Sequence, residues 1–203
     1  LGKNLLVLRV KQKFNKIFCS EFLSDASTFW TTARGNYITG ATTTLLADGV
    51  GLGLGIKAFR QMKSPSTVGS ANDSGKRIGG NPAILLVPPE LEGAADQLFV
   101  NQNLQTTSAT LADNIYKGKY KPVVCAWLSD SNFTGYSATA WYLLRNPAMW
   151  PVVVASFLNG MQSPTVESAD ADFDTLGVEF RGFHDFGCDQ AEYLAGVKSK
   201  GAA

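Results

Sequence analysis

The hydrophobic pattern is clearest between Asn81 and Phe99. Ile84 to Val87 form a continuous apolar run of strand length, the pattern of a strand buried on both faces. Pro88 and Pro89 remove two backbone donors and end that run. Pro89 then suits the first position of a helix, with Glu90 and Glu92 near the positive end of its dipole. Leu91, Ala95, Leu98 and Phe99 follow at helical spacing and would pack back on the strand. Strand, double proline and helix read as one folded unit, which holds no nucleophile and no metal-ligand set.

Upstream, Leu6, Val10, Phe14, Phe18 and Phe22 recur every four residues, with Ile17 beside them and Lys11, Lys13 and Lys16 on the other side. The spacing predicts an amphipathic helix from Leu5 to Leu23, ~30 Å long, whose aromatic stripe lies along the protein's own core or a neighbour's. Residues 24–40 lose the period and read as connection. Asp48 is a candidate N-cap for a helix with Leu52, Ile56, Phe59 and Met62 on one face. Gly49, Gly51, Gly53 and Gly55 each cost that helix up to about 1 kcal/mol relative to Ala, so its first turns are weak or pressed against another backbone. Residues 64–80 are polar and read as a mobile loop.

Downstream, residues 101–119 are mostly polar and read as irregular. Tyr120 to Leu128 is a strand candidate around Val123, Val124 and Cys125. Ser129 to Tyr136 is a turn-rich tip that carries Phe133 and Tyr136. Thr139–Leu144 and Val152–Leu158 are further strands, and residues 160–164 make a turn. From Leu176 to Phe186 the residues alternate as in one long antiparallel strand.

Composition narrows the function classes. The chain has 203 residues, enough for one large domain or two small ones. Its apolar share of 45% and charged share of 17% describe an ordered chain light on charge, which hints at surface covered by partner subunits. A net charge of +1 gives no reason to expect avid binding to nucleic acid or to membrane surfaces. Cys19, Cys125 and Cys188 lack metal-site spacing and read as reduced, buried thiols in a cytoplasmic setting. No apolar run approaches the ~18 residues of a membrane span. There is no initiator Met, and Leu5 to Leu8 is too short for a signal-peptide core, so the chain reads as a fragment or processed product beginning inside a helix.

Each stretch that imitates an active site misses a requirement of its chemistry. Gly69 to Arg77 resembles a phosphate-cradling loop but has five residues between its glycines, and Arg77 where Ser or Thr must hold magnesium. Gly53-Leu-Gly55-Ile-Lys-Ala58 fits a loose dinucleotide fingerprint without the buried strand that must precede it. Gly135-Tyr-Ser137-Ala-Thr139 imitates a nucleophile elbow, with His184 following in hydrolase order, but Thr139 replaces the second glycine. A serine hydrolase using Ser137 and His184 is the rival reading from another class. Asp170, Asp172 and Asp174 space like the start of a calcium loop, with Thr175 where glycine is needed. Lys117, Lys119 and Lys121 read as the wet face of a strand entry. These readings favour a structural or interaction protein with no catalytic residue, metal or cofactor.

Leu85-Leu-Val-Pro-Pro-Glu-Leu-Glu92 followed by an alanine-rich helix resembles a segment of tailed-bacteriophage major capsid (head) proteins, in particular those of prophages. Ala140–Leu144, Val154–Gly160 and Asp172–Gly187 match the same group in order, so the likeness spans about Phe14 to Lys198. The resemblance implies an α+β chain with the Hong Kong ninety-seven phage capsid fold. Residues 1–40 would be the end of the spine helix and its connection in the peripheral domain. Residues 41–168 would form the axial domain, a mixed sheet flanked by helices. Residues 169–203 would hold the return strand to the peripheral domain and a tail. It further implies a virion subunit, assembled in the bacterial host cytoplasm, that joins copies of itself into hexamers and pentamers of an icosahedral head around DNA. A prohead protease and a portal would be partners; sequence-specific nucleic-acid binding and a membrane would not. The family's N-terminal arm and extended loop have no counterpart here. Phe133, Tyr136, Phe14 and Phe18 are the subunit-contact candidates. An encapsulin-like compartment shell is the nearest alternative.

Overall fold

The computed structural model describes residues 29–64, 75–105, 111–170 and 177–201, and the helix expected over Leu5–Leu23 lies outside them. In chain order the elements are β1 (Tyr37–Ile38), α1 (Val50–Gln61), β2 (Ile84–Val87), α2 (Glu92–Val100), β3 (Asn103–Gln105) and β4 (Leu111–Asp113). Then come β5 (Lys121–Val124), β6 (Trp141–Leu144), β7 (Val153–Phe157), β8 (Thr165–Asp170), β9 (Val178–Phe183), β10 (Phe186–Gln190) and β11 (Gly196–Ser199). The chain is α+β.

The strand, double proline and helix fold as their chemistry dictates. Pro88 holds an extended backbone, Pro89 opens a 3₁₀ turn over Pro89–Leu91, and that turn runs into α2. Ala95 and Leu98 of α2 are buried against the sheet. β2 is an inner strand of a five-stranded mixed sheet ordered β1-β11-β6-β2-β5. It runs parallel to β5 and antiparallel to β6, while β11 runs antiparallel to β6 and parallel to β1. Both helices lie on one face, α1 against β11 and β6, α2 against β2 and β5. Leu85 and Val87 point to that face and are buried; Ile84 and Leu86 point away and are only half-buried. The apolar run therefore reflects a strand with two apolar faces, of which the helices cover one.

In α1 the predicted face Leu52, Ile56, Phe59 and Met62 is buried. The cap differs by one residue. Gly49 stands at the N-cap with φ 74°, where a side chain would be strained, and the Val50 N–H donates to Asp48 Oδ1 at 3.0 Å. The helix glycines are explained by close approach. A Cβ on Gly51 would run into the Thr44 carbonyl, and one on Gly55 would lie 2.5 Å from Cη2 of Trp141.

Apolar side chains of the sheet feed two clusters. On the helix side, Leu85, Val87, Trp141, Leu143 and Val197 meet α1 and α2. On the other side, Phe29, Trp30, Leu128, Phe133, Tyr142, Val152 and Ala195 form a smaller cluster. Three buried polar side chains are paired as the low dielectric demands. The indole N–H of Trp141 donates to the Thr43 carbonyl at 2.9 Å, and Ser199 Oγ donates to the same oxygen at 3.0 Å. Asn36, fully buried, donates to the Phe29 carbonyl at 2.7 Å and accepts from the Thr31 N–H at 2.9 Å.

Four sequence expectations are corrected. The single strand expected over Leu176–Phe186 is broken at His184-Asp185, because the chain changes partner there: β9 pairs with β8, and β10 with β7. The stretch 101–119 holds a two-stranded hairpin, β3 with β4, held at its end by Asn114, which donates to the Leu98 and Asn101 carbonyls at 2.8 Å each. The connection 24–40 supplies β1, and the expected tail supplies β11. Tyr37–Ile38 and Gly196–Ser199 are neighbouring strands of the five-stranded sheet.

Candidate functional site

Three exposed features are candidates for the work of this chain. The first is the loop after β5. The Phe133 N–H donates to the Asp130 carbonyl at 3.1 Å, the Asn132 N–H to Asp130 Oδ1 at 2.9 Å, and the Ser137 N–H back to the Leu128 carbonyl at 2.9 Å. These bonds close the loop on itself. Phe133 is turned inward, only 5% exposed, with its ring edge-on to Trp127 at 6.1 Å between centroids. Tyr136 is left outside at 52% exposure. Of the two aromatics expected as contacts at this tip, one anchors the loop and one is presented. Phe14 and Phe18 lie outside the described residues.

The second feature is the β8–β9 ribbon. Among the described residues these strands pair only with each other. Val178, Phe180 and Phe183 of β9 are exposed, and Arg181 forms an ion pair with Glu167 directly across the ladder. A two-stranded ribbon is marginal in water without a third layer, and its open edges invite another strand.

The third is an apolar groove of ≈ 250 Å³ on the sheet face away from the helices. Ile84, Leu86, Val123, Leu144 and Val153 line it, and Arg145 stands at its rim. The Arg145 guanidinium lies 4.4 Å from the Trp150 ring centroid and 5.5 Å from that of Phe59. Its Nε is buried with no hydrogen-bond partner among the described residues. Burial lowers its pKa, and Glu192 pulls in the opposite direction. Gly80 passes so close that any side chain there would collide with the guanidinium.

The enzymatic imitations are placed as follows. Ser137 Oγ accepts from the N–H groups of Thr139 at 3.2 Å and Ala140 at 3.1 Å, which makes it a turn-closing hydroxyl. His184 Nε2 lies 3.1 Å from the Met161 carbonyl, and its ring packs against Phe157 and Phe186. Serine and histidine thus sit in separate local networks. Gly53 and Gly55 are inside α1, where no turn approaches a pyrophosphate. Lys63 and Arg77 form a β-bridge, so the end of the loop 64–80 is tied to the C-terminal end of α1; its residues 65–74 lie outside the described set, as do Asp172 and Asp174. Of the three alternating lysines only Lys121 belongs to a strand. Cys125 and Cys188 are half-buried where full burial was expected, and Cys19 lies outside. Burial raises the pKa of Tyr116, with Tyr120 and Asp48 adding to it; its ring lies over the first turn of α1. Among the described residues no group of His, Cys, Asp and Glu is arranged to hold a metal, and no helix is long and apolar enough to cross a membrane.

A family profile described as phage capsid protein matches residues 4–199. No curated protein matches the chain.

Proposed function

The chain belongs to the phage capsid protein family, structural proteins of the virion shell, and we propose on that footing that its copies form hexamers and pentamers that close into an icosahedral head around DNA. The observation that carries the reading is the β8–β9 ribbon. A finished monomer covers its aromatic residues and blunts its strand edges, whereas here Phe180 and Phe183 are each 45% exposed on a ribbon that has no third strand among the described residues. A subunit of a shell needs such surfaces, repeated in every copy.

In this reading the fold is of the Hong Kong ninety-seven type. The five-stranded sheet with α1 and α2 is the axial domain, extended beyond residues 41–168 to include β1 and β11. The β8–β9 ribbon is its arm toward the peripheral domain. Assembly takes place in the host cytoplasm with a prohead protease and a portal as further partners. Sedimentation of the purified protein tests the reading: five- and six-subunit species are expected, and a monomer at every concentration would count against it.

The loop 129–136 faces a capsomer axis in this arrangement, with Tyr136 as the contact and Phe133 as the anchor behind it. Tyr136→Ala is then expected to leave the urea midpoint unchanged and to reduce capsomer yield. Phe133→Ala is expected to destabilise the subunit itself by about 3 kcal/mol, the usual cost of emptying a buried phenyl site. Unchanged capsomer yield in Tyr136→Ala would remove the loop from the interface.

A further inference from the structure

The two helices that share one face of the sheet carry opposite charge on their outward sides. On α1 the exposed charged side chains are Lys57 and Arg60, continued by the exposed Lys63 and Arg77 of the adjoining bridge and by Arg34 beside β1. On the turn before α2 and on α2 itself they are Glu90, Glu92 and Asp96. The sheet order puts these sets at opposite flanks of one layer, since α1 covers β11 and β6 while α2 covers β2 and β5. The lysines at 117 and 119 stand at the far end of α2, where the Gly118 N–H donates to the Phe99 carbonyl.

The basic flank is also concave. A cleft of ≈ 410 Å³ opens between β1 and the last turn of α1, lined by Arg34, Tyr37, Ile38, Ala58, Gln61 and Lys63. Its lining combines Tyr37, Ile38 and Ala58 with the cations Arg34 and Lys63. That shape takes a helix flank with carboxylates at its edge better than it takes a bare phosphate chain. The nearby carboxylate of Glu192 is engaged, accepting from the Leu194 N–H at 3.1 Å.

We infer that the α1–β1 flank of one subunit receives the acidic α2 flank of the next copy, head to tail. Such a contact uses two different patches of each subunit, so repeating it about an axis closes a ring where five or six equal rotations complete the turn. Exposed charge pairs contribute little affinity; their effect is to choose the partner face and its register, and to reject like-charged docking. The inference rests on the shell reading above and names which flanks meet within a capsomer.

The test is a charge swap in the full chain, read by sedimentation, electron microscopy and nucleic-acid content. Lys57→Glu with Arg60→Glu is expected to raise the concentration needed for capsomers by about tenfold or more, as like charges now face each other. Glu92→Lys with Asp96→Lys is expected to do the same. All four substitutions in one chain are expected to restore assembly, which a merely misfolded variant would not do. Loss that the fourfold swap fails to restore overturns the inference. Normal capsomers from both double variants also overturn it and leave the shell reading standing. Normal shells that have lost DNA assign the basic flank to nucleic acid and overturn it as well. A wild-type chain that never leaves the monomeric state removes the shell reading and this inference together.

Discussion

Trp141→Ala is expected to lower the stability of the subunit by about 4 kcal/mol, within the usual range for an indole removed from a core. Trp141 is wholly buried and stands at the first position of β6, where it meets Gly55 of α1. Its lost hydrogen bond contributes the smaller part. The Thr43 carbonyl keeps a donor in Ser199 Oγ, so no buried acceptor is orphaned by the change. The cost is therefore mostly the emptied volume between sheet and helix, which a helix held so close by glycines cannot easily collapse to fill. In urea the midpoint should fall with little change of slope. Trp150, 39% exposed beside the groove, is the control: Trp150→Ala should change stability by less than about 1 kcal/mol. Equal effects at the two positions would contradict the placement of the core.

Phe180→Ser and Phe183→Ser are expected to abolish assembly while leaving subunit stability within about 0.5 kcal/mol, the range of surface substitutions. Neither ring supports the core, and the ribbon they stand on is bonded only to itself among the described residues. Three residues apart on a strand, they point to opposite faces. Phe183 shares its face with Arg181, whose guanidinium lies 5.9 Å from the ring centroid, whereas Phe180 shares its face with Val178. Testing them singly therefore asks which face of the ribbon is covered in the shell. If both variants assembled like the wild type, the ribbon would not be the contact surface.

The sequence made some of this legible for definite reasons. The β2–α2 unit could be read because two prolines force a break and a helical period follows at once. The buried face of α1 could be read because four large apolar residues keep the period despite the glycines. β11 could not, since Gly196-Val-Lys-Ser199 has no period and a lysine signals solvent. In the fold Lys198 is buried, with Nζ 5.8 Å from the ring of Tyr37 and 5.9 Å from that of Tyr142. The break at His184-Asp185 was hidden because alternation runs straight through it; only the change of partner strand reveals it. Phe133 was read outward because the residues around it are polar and turn-forming. What turns it inward is Trp127, close in sequence but on the opposite side of the loop's closure. The contact surfaces were least legible of all. Charge on α1 and α2 is ordinary amphipathic patterning until the sheet order sets the two helices side by side.

Electron microscopy with light scattering, on the protein expressed from its complete reading frame alone and with neighbouring genes, tests the central claim most directly. Closed particles of uniform diameter that contain DNA are the predicted result. A protein that stays monomeric under every one of these conditions would contradict it.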